Sequence, residues 1–421
     1  MRILHTADWH FGRTLEGRSR QEEQEAFVDE LVAIAEAEGI DLVLMAGDVY
    51  DTVNPPSQSE KLFYDSLSRL AAGGKRHVVV IAGNHDNPER LAAAGPLAGK
   101  QGITLIGLPV SALQEVGIAR TQEKARILAL PYPSESRLKE LLASEADEAQ
   151  VQGAYADRIR SIVAKQCASF TDQTVNLIMS HLFVYGGDTS DSERPIHQLG
   201  TAYAVDTSAL CAGAQYVALG HLHRPQMLTA PDKIRYSGSP LSYSFSERGQ
   251  AKSVTIVDLS PGKPAELKEV VLSSGRPLVR WEAKGGIAEV YRWLDEGKDA
   301  RAWIDLELHL TEMLSMEQIQ ILRKQHGGIV NIRPVYPLDE QEAELSYSEK
   351  LPIDEMFRRF YAQMSKGAQP EPELVQLFMQ LLEEASDDPD AVESSAESAE
   401  VWRSREALSQ SAKEAAAGRE E

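Results

Sequence analysis

Three observations predict an α/β fold in which a sheet carries helices on its faces and presents polar residues at its strand ends. Residues 2–86 alternate apolar runs with helical patterns, a βαβαβ beginning. Five short phrases each directly follow an apolar run: DWH at 8–10, GDVYD at 47–51, GNHD at 83–86, SHL at 180–182 and GHLH at 220–223. After Ser260 the alternation resumes as a smaller α/β unit with no such phrase.

The elements follow in order. Residues 2–7 (RILHTA) read as a first strand. Ser19 with Glu22 predicts a capping box for a helix over about 19–38, with Phe27, Leu31, Ile34 and Ala35 on one face. Gly39 ends that helix, and DLVLMAGD at 41–48 is a continuous apolar strand of the kind buried on both faces. A second helix follows Pro55 and Pro56, and HVVVIAGNHD at 77–86 repeats the design of strand followed by polar phrase. Further strands are predicted at 125–133, 175–181, 215–221, 233–240 and 253–259, with a helix-rich insertion near 135–169. Beyond Ser260, strands in RPLVRWEA, RAWIDLELHL and GIVNIRPVYP alternate with helices near 286–296 and 314–325. Two apolar helical stripes come next: Ile353, Met356, Phe357, Phe360 and Met364, then Leu374, Leu377, Phe378, Leu381 and Leu382. Helices this short are not stable alone, so each stripe must bury against something.

Composition bounds the setting. A chain of 421 residues has room for two or three domains, and 43% hydrophobic content supports a sizeable core. Cys167 and Cys211 cannot make a disulfide framework, and no apolar segment reaches membrane-spanning length, so a soluble, cytoplasmic protein is expected. The net charge is −21, and residues 387–421 hold ten acidic against four basic residues, which reads as an acidic disordered tail. Removing that net −6 leaves −15, so there is no overall basic field. Contact with nucleic acid would need local Lys/Arg groups, bound metals or a more basic partner.

The five phrases supply seven candidate metal ligands: Asp8, His10, Asp48, Asn84, His181, His221 and His223. Carboxylate and amide oxygens with imidazoles suit divalent ions such as Mn²⁺, Fe²⁺ or Zn²⁺. Seven ligands exceed one tetrahedral site. With one carboxylate shared, and Asp48 is placed to bridge, they fit two ions roughly 3.5–4 Å apart, an arrangement suited to in-line attack on phosphorus. His85 is left for chemistry, stabilising the transition state or giving a proton to the departing oxygen. Asp86 is placed to orient the His85 imidazole and raise its pKa, and Asp51 reads as support rather than as a ligand. His5, His77, His309 and His326 read as structural. GPLAGKQ at 95–101 lacks the spacing and final Ser/Thr of a P-loop, so no ATP site is expected in this chain.

Together the five phrases resemble the calcineurin-like metallophosphoesterase superfamily over about residues 1–260. The resemblance implies a four-layer α/β/β/α sandwich. HTADWHFGR, the SDSERPIHQLG loop, GHLHRPQ and YSGSPLSYSFSE carry it further, to the SbcD-type nuclease subunits of bacterial SbcCD complexes. Val49 and Tyr50 stand where that family often has Leu and Phe. The implied organisation is a nuclease domain at 1–270, a small α/β capping domain at 271–345, a C-terminal helical pair at 346–386 and the tail at 387–421. Asp8, His10, Asp48 and His223 are implied to hold one metal, Asp48, Asn84, His181 and His221 the other, with Mn²⁺ the usual ion and His85 catalytic. The implied activity is 3′→5′ exonuclease on double-stranded DNA ends and endonuclease on single strands and hairpins, in repair, recombination and replication. An SbcC-type coiled-coil ATPase is the implied partner, docked by the helical pair, with two nuclease subunits in a heterotetramer. Two other readings use the same ligands: a metallophosphoesterase acting on a small phosphodiester or phosphoprotein, and a non-catalytic scaffold.

Overall fold

The structure is a computed structural model that describes residues 1–109, 112–134, 136–138, 155–193 and 204–336, with residues 354–355, 357–358, 361, 370–372 and 374–379 beyond them. Its strands, in chain order, are β1 (Arg2–Thr6), β2 (Thr14–Leu15), β3 (Arg18–Ser19), β4 (Leu42–Ala46), β5 (His77–Ile81), β6 (Ile103–Ile106), β7 (Gln114–Ile118), β8 (Glu123–Leu130) and β9 (Val175–His181). There follow β10 (Tyr216–Gly220), β11 (Gln226–Met227), β12 (Ile234–Tyr236), β13 (Ser253–Asp258), β14 (Glu266–Val271), β15 (Leu278–Ala283), β16 (Trp303–His309) and β17 (Ile329–Val335). Two six-stranded sheets result, in the orders β14-β13-β1-β4-β5-β6 and β11-β12-β10-β9-β8-β7.

Strand periodicity explains the layering. In β4, Val43 and Met45 turn to one face, where Phe27, Leu31 and Ala35 of the helix Gln21–Ala37 and Phe63 and Leu67 of the helix Ser57–Ala71 cover them. Leu42, Leu44 and Ala46 turn to the other face and meet Ile127, Leu177, Met179 and Ala218 of the second sheet. Leu128, Ile178 and Val217 on that sheet's far side pack on Ile159, Ile162 and Val163 of the helix Tyr155–Cys167. Helix, sheet, sheet, helix: this is the expected α/β sandwich. Each Leu, Ile or Val so buried contributes about 1.5–3 kcal/mol. β1, β4 and β5 run parallel, as do β8, β9 and β10, so each group sends its C-terminal ends the same way.

The expected capping box is not formed. The N-cap of Gln21–Ala37 is Arg20, without a side-chain cap bond, because Ser19 is taken up in the β2–β3 hairpin opposite Thr14. Ile34 is only half-buried, and Val28 and Val32 complete the inner face instead. The helix-rich insertion contains Tyr155–Cys167, while residues 139–154 lie outside the described residues.

The smaller α/β unit is a parallel sheet, β15-β16-β17, whose core of Trp281, Ile304, Leu306, Leu308 and Ile329 is covered by the helices Ile287–Asp295 and Met316–Gln325. Its joint with the sandwich is polar and buried. Glu23 receives hydrogen bonds from Arg20 Nη2 at 2.8 Å, Trp303 Nε1 at 2.9 Å and the Arg276 backbone N–H at 2.7 Å. Arg20 is 1% exposed, so Glu23→Ala would leave a buried guanidinium without its counter-ion. We expect a loss of about 3–5 kcal/mol in equilibrium urea unfolding. A loss below about 1 kcal/mol would show that water or another group takes the carboxylate's place.

Residues 1–337 form one compact unit and residues 338–421 a second. Within the second, Phe357 and Phe378, one from each apolar stripe, stack at 4.1 Å with 10° between their planes. Leu377 is 51% exposed. Ile353, Met356, Phe360, Met364, Leu381 and Leu382, and the tail at 387–421, lie outside the described residues.

Candidate metal centre

Every ligand phrase begins where a buried strand stops. Asp8 and His10 follow β1, Asp48 follows β4, Asn84 and His85 follow β5, His181 closes β9, and His221 and His223 follow β10. The two sheets meet at this edge: the His181 imidazole donates from Nδ1 to the carbonyl of Ala46 at the end of β4, at 2.9 Å. Glycine makes the approach feasible. A Cβ on Gly220 would stand 1.9 Å from the Ala46 oxygen, and one on Gly83 would stand 2.0 Å from Asp48 Oδ1.

Four of the candidate ligands are held in strained backbone. Asp8, His10, Asp48 and His221 have φ of 54°, 46°, 51° and 108°, where a side chain other than glycine's costs about 1–3 kcal/mol each. Backbone bonds between the turns hold them there, with Asp8 N donating to Gly47 O and His10 N to Asp48 O, both at 3.0 Å. The His221 N–H adds a bond to Asp8 Oδ1 at 2.9 Å. The strain aims side chains inward at one point.

All seven candidates are brought together there. His10 Nε2 lies 3.0 Å from His223 Nε2 and 3.6 Å from Asp48 Oδ2. On the other side, His181 Nε2 lies 3.4 Å from the same Asp48 Oδ2 and 2.9 Å from Asn84 Oδ1, which is 3.3 Å from His221 Nδ1. Asp8 Oδ1 stands 3.8 Å from His181 Nδ1, while Asp8 Oδ2 is buried without a hydrogen-bond partner. An orphaned, buried carboxylate oxygen is a poor arrangement by itself, and it fits a site that holds divalent cations.

The electrostatics agree with that fit. Burial pushes His10 and His221 well below the ordinary histidine value, so both are neutral and have a lone pair to give. Burial also opposes ionisation of Asp48, yet His181, His85 and His10 hold its carboxylate well below the usual range. For His181 burial opposes the charge, but Asp48 and Asp8 outweigh it and push the imidazole up to about 9. Proton uptake by His181 marks the demand of these carboxylates for positive charge. Bound divalent ions would satisfy the same demand.

His85 donates from Nδ1 to the Asp51 carbonyl at 2.7 Å, and its backbone N–H donates to Asp48 Oδ1 at 2.9 Å. Its ring sits 4.8 Å from that of His10, half-buried at the mouth of the cluster. Asp86 departs from the sequence reading. Its carboxylate accepts the backbone N–H groups of Gly83, Val49 and Tyr50 at 2.9, 3.1 and 3.0 Å, so the Asp51 carbonyl, not Asp86, orients the His85 ring. A carboxylate committed to the backbone of its own turn and of the turn after β4 is turned away from the His85 ring. Burial, and then the Asp48 charge, push Asp86 up to about 6. Asp51 Oδ1 lies 3.6 Å from His10 Nδ1.

Of the histidines read as structural, His5 is buried against the Tyr216 hydroxyl at 2.8 Å, and His326 packs edge-on to Trp281. Sequence reasoning assigned no individual role to Ser192, Glu193, Tyr243, Glu247 and Lys252, all of which lie close behind His223. Glu193 Oε1 accepts the His223 backbone N–H at 2.8 Å, and Lys252 Nζ donates to the His223 carbonyl at 2.9 Å. Only Ser192 and Glu193, within the SDSERP phrase, and Tyr243 and Glu247, within YSFSE, lay in stretches that stood out. Residues 194–203 of that first loop lie outside the described residues.

Known proteins resemble the chain at both levels. Residues 1–225 match the calcineurin-like phosphoesterase family, and residues 274–365 match the type 5 capsule protein repressor C-terminal domain. The chain is 51% identical over 382 residues to the SbcD subunit of the SbcCD nuclease of Bacillus subtilis, covering 90% of this chain and 97% of that protein. The protein of the same name in Escherichia coli K12 is 29% identical over 393 residues, covering 90% and 97%. That of Rhodobacter capsulatus is 35% identical over 298 residues, covering 68% and 72%.

Proposed function

We propose, from the premise that this chain belongs to the SbcD family of calcineurin-like phosphoesterases, that it cuts the DNA backbone at a two-metal centre formed by its strand-end ligands. It is a metal-dependent phosphodiesterase of the nuclease type. The observation that best supports the two-metal reading is the place of Asp48 Oδ2, 3.6 Å from His10 Nε2 and 3.4 Å from His181 Nε2. In this reading Asp8, His10, Asp48 and His223 hold one divalent ion, and Asp48, Asn84, His181 and His221 the other. Mn²⁺ is the ion we propose, on the resemblance to SbcD-type nuclease subunits, since the donor set by itself suits Fe²⁺ or Zn²⁺ as well. Once bound, the pair supplies positive charge against the phosphoryl oxygens and makes a water acidic enough to attack near neutral pH.

The chain's own groups do the rest. With its Nδ1 proton donated to the Asp51 carbonyl, His85 directs Nε2 toward the mouth of the cluster. Carrying a proton there, it stabilises charge on the phosphoryl group and releases that proton to the departing sugar oxygen. Asp86 acts one step back: by pinning Gly83, Val49 and Tyr50 it keeps the Asp48 and Asn84 turns in register. The fixed φ values set these donors before substrate arrives.

The activity proposed is 3′→5′ exonuclease on double-stranded ends and endonuclease on hairpins and single strands, with an SbcC-type ATPase and two copies of this chain in the assembly. We propose nuclease, capping, docking and tail segments at 1–270, 271–345, 346–386 and 387–421. A more basic partner would meet the need left by the net charge of −21. Among the described residues no helix is long and apolar enough to cross a membrane, and Cys167 and Cys211 are free thiols. Both are compatible with the cytoplasmic location we propose.

One assay separates the DNA reading from hydrolysis of a small phosphodiester. With Mn²⁺ and the ATPase partner present, a labelled DNA hairpin should be cleaved, EDTA should stop the reaction, and excess Mn²⁺ should restore it. Turnover of a chromogenic phosphodiester with an intact hairpin would end the nuclease reading. A second assay addresses docking. Truncation after Lys350 should abolish co-purification with the ATPase while two metal ions still bind. If the truncated chain still co-purifies, the helical pair is not the dock.

A further inference from the structure

Behind His223 lies a buried polar chain that the ligand phrases do not include. Ser192 Oγ is within hydrogen-bond reach of both His223 Nδ1 and Glu247 Oε1. Glu247, at the end of the turn Phe245–Glu247, is fully buried, and it also accepts from Lys252 Nζ and from the Tyr243 backbone N–H at 3.2 Å. Lys252 is itself 7% exposed and donates to Ser239 Oγ at 3.1 Å as well as to the His223 carbonyl.

Proton counting gives this chain a direction. A serine hydroxyl has one hydrogen, and a carboxylate is the strongest acceptor within its reach, so Ser192 donates to Glu247. Its oxygen is then an acceptor toward the imidazole, and His223 Nδ1 must carry the ring proton. The lone pair is left on Nε2, the nitrogen 3.0 Å from His10 Nε2 at the metal centre. Burial matters here. Without Ser192, His223 Nδ1 would have no fixed acceptor, and both tautomers and small ring rotations would open to it.

We infer that Ser192 and Glu247 are positioning residues that fix the tautomer and ring plane of His223 so that Nε2 faces the metal, with Lys252 holding the Glu247 carboxylate. The inference rests on His223 being a metal ligand. It gives the SDSE phrase a part in forming the centre: Ser192 sets the ring of His223 while Glu193 holds its backbone.

The test uses the full chain with ¹⁵N-labelled histidine, and Mn²⁺ binding measured by calorimetry. In metal-free wild type, long-range ¹⁵N–¹H spectra should show His223 protonated on Nδ1, the signal being assigned by its loss in His223→Ala. Ser192→Ala should abolish that single tautomer and weaken binding at one of the two Mn²⁺ sites by about 10–100-fold. Ser192→Thr, which keeps the hydroxyl, should restore both. Glu247→Gln should act in the same direction, and because it leaves Lys252 without its partner it is read only if its circular dichroism spectrum matches wild type. Wild-type Mn²⁺ affinity in Ser192→Ala, or an Nε2-protonated His223 in the wild type, overturns the inference. Wild-type Mn²⁺ binding by His223→Ala would instead overturn the ligand assignment beneath it, so the two failures are distinguishable.

Discussion

Asp48→Asn should reduce Mn²⁺-dependent cleavage by about 10³-fold or more while the protein stays folded. Substitution leaves the side chain's shape unchanged and replaces one oxygen by an NH₂ group, which can only donate. The oxygen at stake is Oδ2, placed between His10 Nε2 at 3.6 Å and His181 Nε2 at 3.4 Å. The oxygen that remains can keep the bond from the His85 N–H, so the turn has no reason to move. Two measurements separate a lost bridge from a lost fold. Wild type at 100 times its metal dissociation constant should gain about 2.7 kcal/mol of stability per site, and the variant should gain at most half the total. In EDTA both should give the same circular dichroism spectrum. If the variant still binds two ions at wild-type affinity and cuts at the wild-type rate, Asp48 is not the bridge, and the assignment of seven ligands to two ions must be redrawn.

The ease of reading this site from sequence has a physical cause. A parallel strand buried on both faces is an unbroken apolar run, and the chain must leave it on a turn at the sheet edge. A polar phrase after such a run is therefore confined to one edge before any coordinates exist. DLVLMA followed by GD, and HVVVIA followed by GNHD, are instances, and β4 and β5 lie adjacent and parallel. What the phrase does not fix is which way each side chain turns. Asn84, His85 and Asp86 are consecutive, yet Asn84 faces His181 in the candidate metal centre, His85 donates to the Asp51 carbonyl, and Asp86 accepts from the backbone of its own turn and of the turn after β4. Adjacency placed Asp86 against the His85 ring. Three backbone N–H groups, one in its own turn and two in the turn after β4, were the stronger claim on its carboxylate.

The edges of the fold were harder to read for a related reason. β14, ELKEVV, is half polar because it is a sheet edge with one side in water, and β2 and β3 are two residues each. Ser19 is a good helix cap by residue type, but its pairing with Thr14 in the hairpin placed it one residue too early. The buried pair of Glu247 and Lys252 has no periodic signature at all. Their partnership arises from a turn, and only the fold shows that both are shut away from water beneath His223.

His85→Ala should separate chemistry from coordination, with two Mn²⁺ still bound and cleavage reduced by about 10²–10⁴-fold. Among the described residues the ring's Nδ1 meets a backbone carbonyl, so its removal leaves Asp51 able to keep its place, and the backbone bond from residue 85 to Asp48 Oδ1 survives in alanine. The proposed metal ligands therefore keep their geometry. What goes is the proton at Nε2, and the loss should depend on the leaving group. An ordinary deoxyribose alkoxide needs that proton, whereas a p-nitrophenolate leaves without one, so cleavage of a p-nitrophenyl ester should fall far less than cleavage of DNA. Equal losses on both substrates would confine His85 to stabilising charge on the phosphoryl oxygens. Loss of one Mn²⁺ together with activity would make His85 a ligand, consistent with its place beside His10 and Asp48 in one cluster of candidate donors. The bond from Nδ1 to the Asp51 carbonyl is common to both outcomes, because it leaves Nε2 facing the site whether that nitrogen carries a proton or a metal, so metal binding measured beside cleavage decides between them.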